Sequence, residues 1–374
     1  MQDMIKARAA RLGFSFTGFA PALQTPHFSQ YFDFISTHEL GDLNFLSKEY
    51  VIQGREDPGS LLENGRTMIV LGSCYPPQKA PEWYDYPSDG IVSAYARFPD
   101  YHHVIRKNAE TLMDDLQNTL HIDFQWRIFI DSGPVMEKDM AYSAGIGWIG
   151  KNSLCIHPVH GSFFFICCIL TDLDITESQP APIQDLCGDC SACINACPAK
   201  CIHDHSIDIT RCIAYLTIEH KGVIPREHRT VIGSHIFGCD VCQSVCPYNL
   251  HRKKMDSAVF FGRQQLIHSS VSLNHELALS PPSFIEKFTG TPIIRIGFEQ
   301  YLRNVIIAAG NTKENHNLQE LKQLANHSSK IIALHAIWAI GQYRNEDGNK
   351  FLSGLLKENF SGELLEEIRI ALHA

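Results

Sequence analysis

Cys187-Gly-Asp-Cys190-Ser-Ala-Cys193-Ile-Asn-Ala-Cys197-Pro198 spaces three cysteines two residues apart, adds a fourth after three more, and follows it with proline. Three thiolates at that interval wrap one cubane within a tight loop. The proline then turns the chain away, leaving the fourth cysteine to face a second cluster. Buried cysteines kept only for packing have no reason to hold such a rhythm. Zinc ribbons use C-x2-C pairs, but zinc does not call for this run.

A second motif, Cys239-x2-Cys242-x3-Cys246-Pro247, has three cysteines where a ferredoxin would have four. With exchange between the motifs, one [4Fe–4S] cluster takes Cys187, Cys190, Cys193 and Cys246. The other takes Cys197, Cys239, Cys242 and either Cys201 or Cys212. Cys201 stands where such motifs carry a small residue and reads as a packing thiol. Cys212 lies on a separate segment, can approach from outside the loop, and is favoured as the ligand. Nine of the thirteen cysteines fall between Cys187 and Cys246. The other four, Cys74, Cys155, Cys167 and Cys168, sit in or near apolar strands and read as core.

Working outward, 374 residues with 44% hydrophobic and 20% charged composition describe an ordinary globular enzyme of two or three domains. No apolar run near residue 1 reads as a signal peptide and no twin-Arg pair appears, so a cytoplasmic protein without a membrane span is expected. Thiols kept reduced there act as ligands rather than disulfides. The net charge of −9 excludes nucleic-acid binding by general electrostatics and leaves only a local basic patch.

Three parts are expected: residues 1–175 as an α/β (α+β) domain, 176–255 as a ferredoxin-type domain, and 256–374 as an all-α HEAT-like repeat. Met4, Ile5, Ala9 and Leu12 suit one face of a first helix that Gly13 ends. Thr67 to Gly72, Arg127 to Ile130 and Phe163 to Leu170 read as strands, possible partners in mixed pairing. Thr176 to Ile183 reads as a linker, and Ser280-Pro-Pro-Ser283 as a further break. Five helical stretches follow, around 301–310, 318–325, 331–341, 351–356 and 364–372, the first closed by Gly310.

Between the strands and the cysteines lies Asp131-Ser-Gly-Pro-Val-Met-Glu-Lys-Asp-Met-Ala-Tyr-Ser-Ala-Gly-Ile-Gly-Trp-Ile-Gly-Lys-Asn152. A lone Asp at a strand end is more often a helix cap than a catalyst. Gly145, Gly147 and Gly150 permit close backbone approach to something bulky. Their G-x-G-x-x-G spacing follows a helical stretch rather than a strand, which argues against a dinucleotide site.

These residues together resemble the epoxyqueuosine reductases, which complete queuosine in tRNA. The resemblance runs through Arg55-Glu-Asp-Pro58, Tyr95-Ala-Arg97, Asp100-Tyr-His102, Asp131 to Lys138, Gly145 to Asn152, the first cysteine run, Tyr215 to Glu219, and Gly238 to Asn249. It covers nearly the whole chain. This sequence departs at Ala94, at Phe98-Pro99 and at Cys201.

The resemblance implies an N-terminal domain that binds cobalamin, two [4Fe–4S] clusters that reduce its cobalt from Co(II) to Co(I), and Asp131 as proton donor to the departing epoxide oxygen. A partly buried carboxyl with a raised pKa suits that role. The D-x-H-x-x-G signature of other cobalamin carriers is absent, so no His ligand is expected from it. Arg55, Tyr95, Asn152, Ser153, Lys221 and Asp240 are the expected further corrin contacts. The tRNA partner needs cations, offered by Lys221, Arg226, His228 and Arg229 and by His251 to Lys254. The electron donor would be of the flavodoxin or ferredoxin kind. Two readings compete: a small-molecule reductase similar to reductive dehalogenases, and an electron-transfer subunit with a docking module.

Overall fold

The computed structural model describes residues 1–76, 89–175, 181–252, 267, 270–358 and 362–373. Most of the expected linker, residues 176–180, and the basic residues Lys253 and Lys254 lie outside these. The chain divides into two compact units. One comprises Met1–Pro77, Phe98–Thr210 and Val241–Gln265; the other comprises Gln78–Arg97, Arg211–Asp240 and Leu266–Ala374. The segment 211–240, expected with the cysteine domain, thus groups with the helical C-terminal part.

In the first unit a four-stranded sheet runs in the order Phe16–Pro21, Thr67–Cys74, Phe164–Thr171, Trp126–Phe129. Every pairing is antiparallel, which corrects the expected α/β layer with mixed pairing. The strands begin or end within one or two residues of their expected positions. All eight residues of Thr67–Cys74 are buried, which is why that stretch shows no polar alternation. Because side chains alternate across a strand, Met68, Val70, Cys74, Cys168 and Leu170 form one face. They pack on Met140 and Ala141 of the helix Glu137–Ser143 and on Ala144 just beyond its end. That core also takes in Cys155, and Cys167 is buried as well, as expected of packing thiols.

The helices Gln2–Arg11 and Tyr101–Leu120 pack on each other and on the sheet. Ile5 and Ala9 supply the buried face of the first, and Gly13, at φ 91°, turns the chain beyond its end.

The second unit holds a small sheet, His235–Phe237, Gly90–Val92 and Ser270–Val271 in that order, beside a series of helices. The helix Gly297–Thr312 is buried along most of its length, yet carries a polar row. The fully buried Arg303 donates to the carbonyls of Leu216, His220 and Gly222 at 2.7–2.8 Å. Asn304 donates to the carbonyls of Thr217 and Ile236, and Gln300 to that of Ile218. An irregular buried segment needs partners for its carbonyls, and this helix supplies them.

Two sequence expectations are corrected here. Gly310 does not close the helix, which continues to Thr312 and ends at Lys313 in a left-handed conformation. A side chain at 310 would meet the Cα and Cβ of Ala339 at 2.8 Å, so the glycine serves close helix packing. Ser280-Pro-Pro-Ser283 starts a helix rather than breaking the chain: Ser280 caps Pro281–Phe288 by accepting from the Ser283 amide. Of the remaining four helices, Leu318–Leu324, Lys330–Gln342 and Glu363–His373 lie within one residue of expectation, while Glu346–Leu355 starts five residues before the expected Phe351. No helix among the described residues is long and apolar enough to cross a membrane.

Candidate functional site

Four of the expected ligands converge in the first unit. Cys187, Cys190, Cys193 and Cys246 line one concavity together with Lys151, Asn152, Ile156 and Tyr248. The loop before the short helix Ala192–Ala196 brings Cys187 and Cys190, the helix itself brings Cys193, and the chain returning at Val241 brings Cys246. The donor set of four sulfurs with no hard oxygen ligand fits an iron–sulfur cubane.

The thiols are not left to themselves. Burial pushes the Cys187 thiol up, while N–H donors from the Trp148 ring and the Lys151 backbone pull it back. The Trp148 Nε1 lies 3.4 Å from Cys187 Sγ. Burial likewise raises the Cys246 thiol, against the amides of Tyr248 and Asn249.

The second expected set is divided: Cys197 and Cys242 belong to the first unit, Cys212 and Cys239 to the second. Cys201 is buried, with its Sγ 3.5 Å from that of Cys197. The thiol of Cys201 draws that of Cys197 down to about 5. Cys212 stands at the N-terminal end of the helix Ile213–Ile218.

Trp148 belongs to a small hairpin, Trp148–Ile149 paired with Cys155–Ile156. The close approach that Gly147 and Gly150 permit is to Ile156. A side chain at 147 would strike the Ile156 carbonyl oxygen at 2.4 Å, and one at 150 the Ile156 Cδ1 at the same distance. They let the hairpin close on itself.

Its turn presents Asn152 and Ser153. Asn152 is buried, and its Oδ1 accepts from the Leu154 amide. Ser153, at φ 57°, donates from Oγ to the His205 carbonyl and receives Lys138 Nζ on its own carbonyl at 2.7 Å.

Asp131 follows the Trp126–Phe129 strand by two residues, in the left-handed region at φ 58°. Asp tolerates that conformation better than most residues, and such a backbone marks a constrained position. Tyr101 Oη donates to Asp131 Oδ2 at 2.6 Å. His102 Nε2 lies 3.8 Å from the same oxygen, and its Nδ1 is 2.7 Å from Asp100 Oδ1.

The Asp131 side chain is 68% exposed. The partial burial invoked for a proton donor is therefore absent, and the neighbouring hydroxyl and imidazole define its surroundings instead. Asp100 is pushed up by burial, but the ring and amide of His102 outweigh that and hold its carboxyl low. Tyr101 and His102 sit in a stretch noted for its resemblance, yet nothing in the sequence assigned them a role. Only the fold, which brings residue 101 to residue 131, reveals it.

Nearby, Arg55 lies with its guanidinium carbon 4.8 Å from the Tyr31 ring centroid, and its Nε is buried without a hydrogen-bond partner. Glu137 Oε1 is orphaned in the same way. Burial raises the Glu137 carboxyl to about 7; the charge of Asp131 adds to this, and Arg55 and Lys138 oppose it. The same helix carries buried Asp139, whose Oδ1 lies 2.5 Å from His27 Nδ1.

Three expected corrin contacts fall in the second unit. Asp240 is buried, accepting from Ser93 Oγ and the Ala94 amide at 2.7 Å each, so it braces the turn that carries Tyr95. The Tyr95 ring lies 6.0 Å from that of Phe237, and Lys221 is exposed. The basic stretch around it is corrected: Arg229 is buried, and both Arg226 and Arg229 pair with Glu367. Both arginines tie to the last helix, and the buried Arg229 is not available to a phosphate.

Comparison with known proteins follows the same lines. Residues 55–132 match the family model described as Epoxyqueuosine reductase QueG, DUF1730. Residues 186–249 match the 4Fe-4S double cluster binding domain. The epoxyqueuosine reductase of Xanthomonas campestris is 36% identical over 77% of this chain and 81% of its own length. That of Pseudomonas aeruginosa is 33% identical over 92% and 94%.

Among solved structures, an epoxyqueuosine reductase with an epoxyqueuosine-modified tRNA-Tyr stem loop superposes with a TM-score of 0.85. It shows 27% identity and covers 100% of this chain and 98% of that one. The Bacillus subtilis enzyme, with its catalytic aspartate loop swung out of the active site, reaches 0.87 at 28% identity with the same coverage.

Proposed function

The chain belongs to the epoxyqueuosine reductase family, and on that premise we propose how its own residues serve the reduction of epoxyqueuosine to queuosine in tRNA. A 4Fe–4S double-cluster domain is part of the chain, and cobalamin is consistent with the family. The observation that carries the reading is the thiol-lined concavity: the four sulfurs expected to hold one cluster share it with Asn152, an expected corrin contact.

The residues fit both groups. Four soft donors converge for the cluster. For the corrin, the orphaned Arg55 Nε and Glu137 Oε1 are buried polar atoms that amide side chains of a large polar ring could satisfy. When bound, cobalamin supplies a strongly reducing metal that the protein has only to position and tune. Asn152 and Ser153 would hold it from the hairpin turn and Arg55 from the helix Glu49–Glu56. Tyr95, Lys221 and Asp240 are proposed as further corrin contacts. Cys197, Cys212, Cys239 and Cys242 are proposed for the second cluster, with Cys201 as a neighbour.

Asp131 would release the proton that the departing oxygen needs, its position set by Tyr101 and His102. A low-potential flavodoxin or ferredoxin would deliver electrons, and the C-terminal helices, read as a HEAT-like repeat, would dock the anticodon stem by shape. We retain the division into 1–175, 176–255 and 256–374 as a division of labour: corrin, clusters and RNA. The cytoplasm is the compartment where charged tRNA substrates and reduced thiols coincide.

The test is direct. Protein purified without oxygen should contain iron and sulfide for two cubanes and retain added cobalamin, and tRNA from cells lacking the gene should accumulate epoxyqueuosine. Normal queuosine in those cells would overturn the reading. Turnover of a halogenated aromatic instead of tRNA would favour the dehalogenase-like alternative.

A further inference from the structure

The hairpin Trp148–Ile156 meets the thiol-lined site through one side chain that no ligand assignment includes. Trp148 is 1% exposed, and indole has a single polar atom, the Nε1–H, which can only donate. Its partner is Cys187 Sγ at 3.4 Å, an ordinary distance for an N–H···S bond. A buried indole N–H without a partner would be costly, so the pairing is selected by the fold and not incidental.

The ring is fixed from the other side. Tyr248 stands edge-on to it with centroids 4.7 Å apart, and Tyr248 Oη donates to the Leu186 carbonyl at 3.2 Å. Trp148, Ile156 and Cys246 form one buried cluster, with Ile183, Cys187 and Tyr248 packed against it. Two aromatic rings therefore cover one side of the site, and one of them points its only proton at a ligand sulfur.

We propose that Trp148 sets the reduction potential of the cluster held by Cys187, Cys190, Cys193 and Cys246 through its N–H bond to the Cys187 sulfur. This rests on the ligand assignment made above. The couple concerned is a single-electron step, from the 2+ to the 1+ state of the cubane; no bond is made or broken and no proton is transferred. The added electron raises the negative charge on the sulfurs. A donor aimed at one of them is therefore held more tightly in the reduced state, which raises the potential. Removing the donor moves the potential down and makes the cluster harder to charge.

The experiment uses full-length protein with both clusters loaded, titrated with dithionite under spectroscopic control. Trp148→Phe keeps an aromatic ring and loses the N–H, so one of the two midpoints should move to a more negative value. Tyr248→Phe keeps its ring against Trp148 and should leave both midpoints in place. In protein grown with nitrogen-15 indole tryptophan, pulsed EPR of the reduced state should show a coupling to that nitrogen, absent from Trp148→Phe.

An unmoved midpoint in a fully loaded Trp148→Phe variant, or no nitrogen coupling in the unsubstituted protein, would overturn the proposal. The second measurement stands even where the variant loads poorly. A Cys187→Ala variant that retains all its iron would instead overturn the ligand assignment beneath it, and the two failures are thereby told apart.

Discussion

Tyr101 Oη lies 2.6 Å from Asp131 Oδ2, and this one hydrogen bond joins the first residue of the unit's longest helix to a strained loop thirty positions along the chain. With the Asp131 side chain largely exposed to water, its energetic weight is that of an ordinary hydrogen bond, about 0.5–1.5 kcal/mol. Asp131→Asn is expected to retain iron and cobalamin while single-turnover product formation falls by about a hundredfold or more. Tyr101→Phe, whose ring remains stacked on Phe165 at 4.0 Å, is expected to lose about tenfold, as the loop is held less firmly. Full activity in Asp131→Asn would remove the proton-donor role.

Glu137 makes the stability of the chain depend on pH. Burial raises its carboxyl from 4.5 to about 7. Between those values the folded chain holds a proton that the unfolded chain has released, so stability falls as pH rises across the window. His27 acts in the same sense: its bond to Asp139, stronger than the opposing effect of burial, raises its pKa, so its contribution is present below about 6.5 and lost above. Glu137→Gln is expected to melt at a higher temperature than the parent at pH 8 and to show a flatter dependence between pH 5 and 8. Identical melting curves for the two proteins would contradict this.

Cys201 and Cys212 can be separated by counting iron. Cys201→Ala is expected to keep eight irons per chain, and Cys212→Ala to keep about four, since a cubane lacking one thiolate is readily lost. The 3.5 Å contact between Cys197 and Cys201 makes the first variant the more telling. A loss of four irons there would transfer the ligand role to Cys201.

Gly310→Ala places a methyl group 2.8 Å from the backbone of Ala339. In a packed helix pair such overfilling costs about 1–3 kcal/mol, more than the gain in helix propensity of about 1 kcal/mol. The melting temperature should drop by several degrees, whereas an increase would show that the helices can separate without cost.

Much of this was legible in the sequence because it was local. The cysteine run, the apolar strand at Thr67 and the apolar helix at Lys330 each declare themselves within a dozen residues. What was not legible depends on distant partners. Gly310 looks like a helix end until Ala339 is placed against it. Arg226 and Arg229 look like a solvated basic run until Glu367, 138 residues beyond Arg229, arrives to neutralise them. The glycines before Asn152 announce a close backbone approach, but only the fold shows that the approach is to Ile156. Trp148 reads as one more core aromatic, because nothing in its own neighbourhood names Cys187 as its partner.

The chain leaves the first unit at Thr210 and re-enters it at Val241, and the sulfurs of Cys187, Cys190 and Cys193 stand before that excursion while Cys246 stands after it. A cluster bound to all four is a staple across the detour, in the way that metal ligation is also folding free energy. Iron starvation would accordingly be felt as a loosened tether at the returning segment, with the antiparallel sheet still intact. Proteases would find the unstapled polypeptide there first, so the supply of iron would then govern how long the protein survives as well as whether it can work.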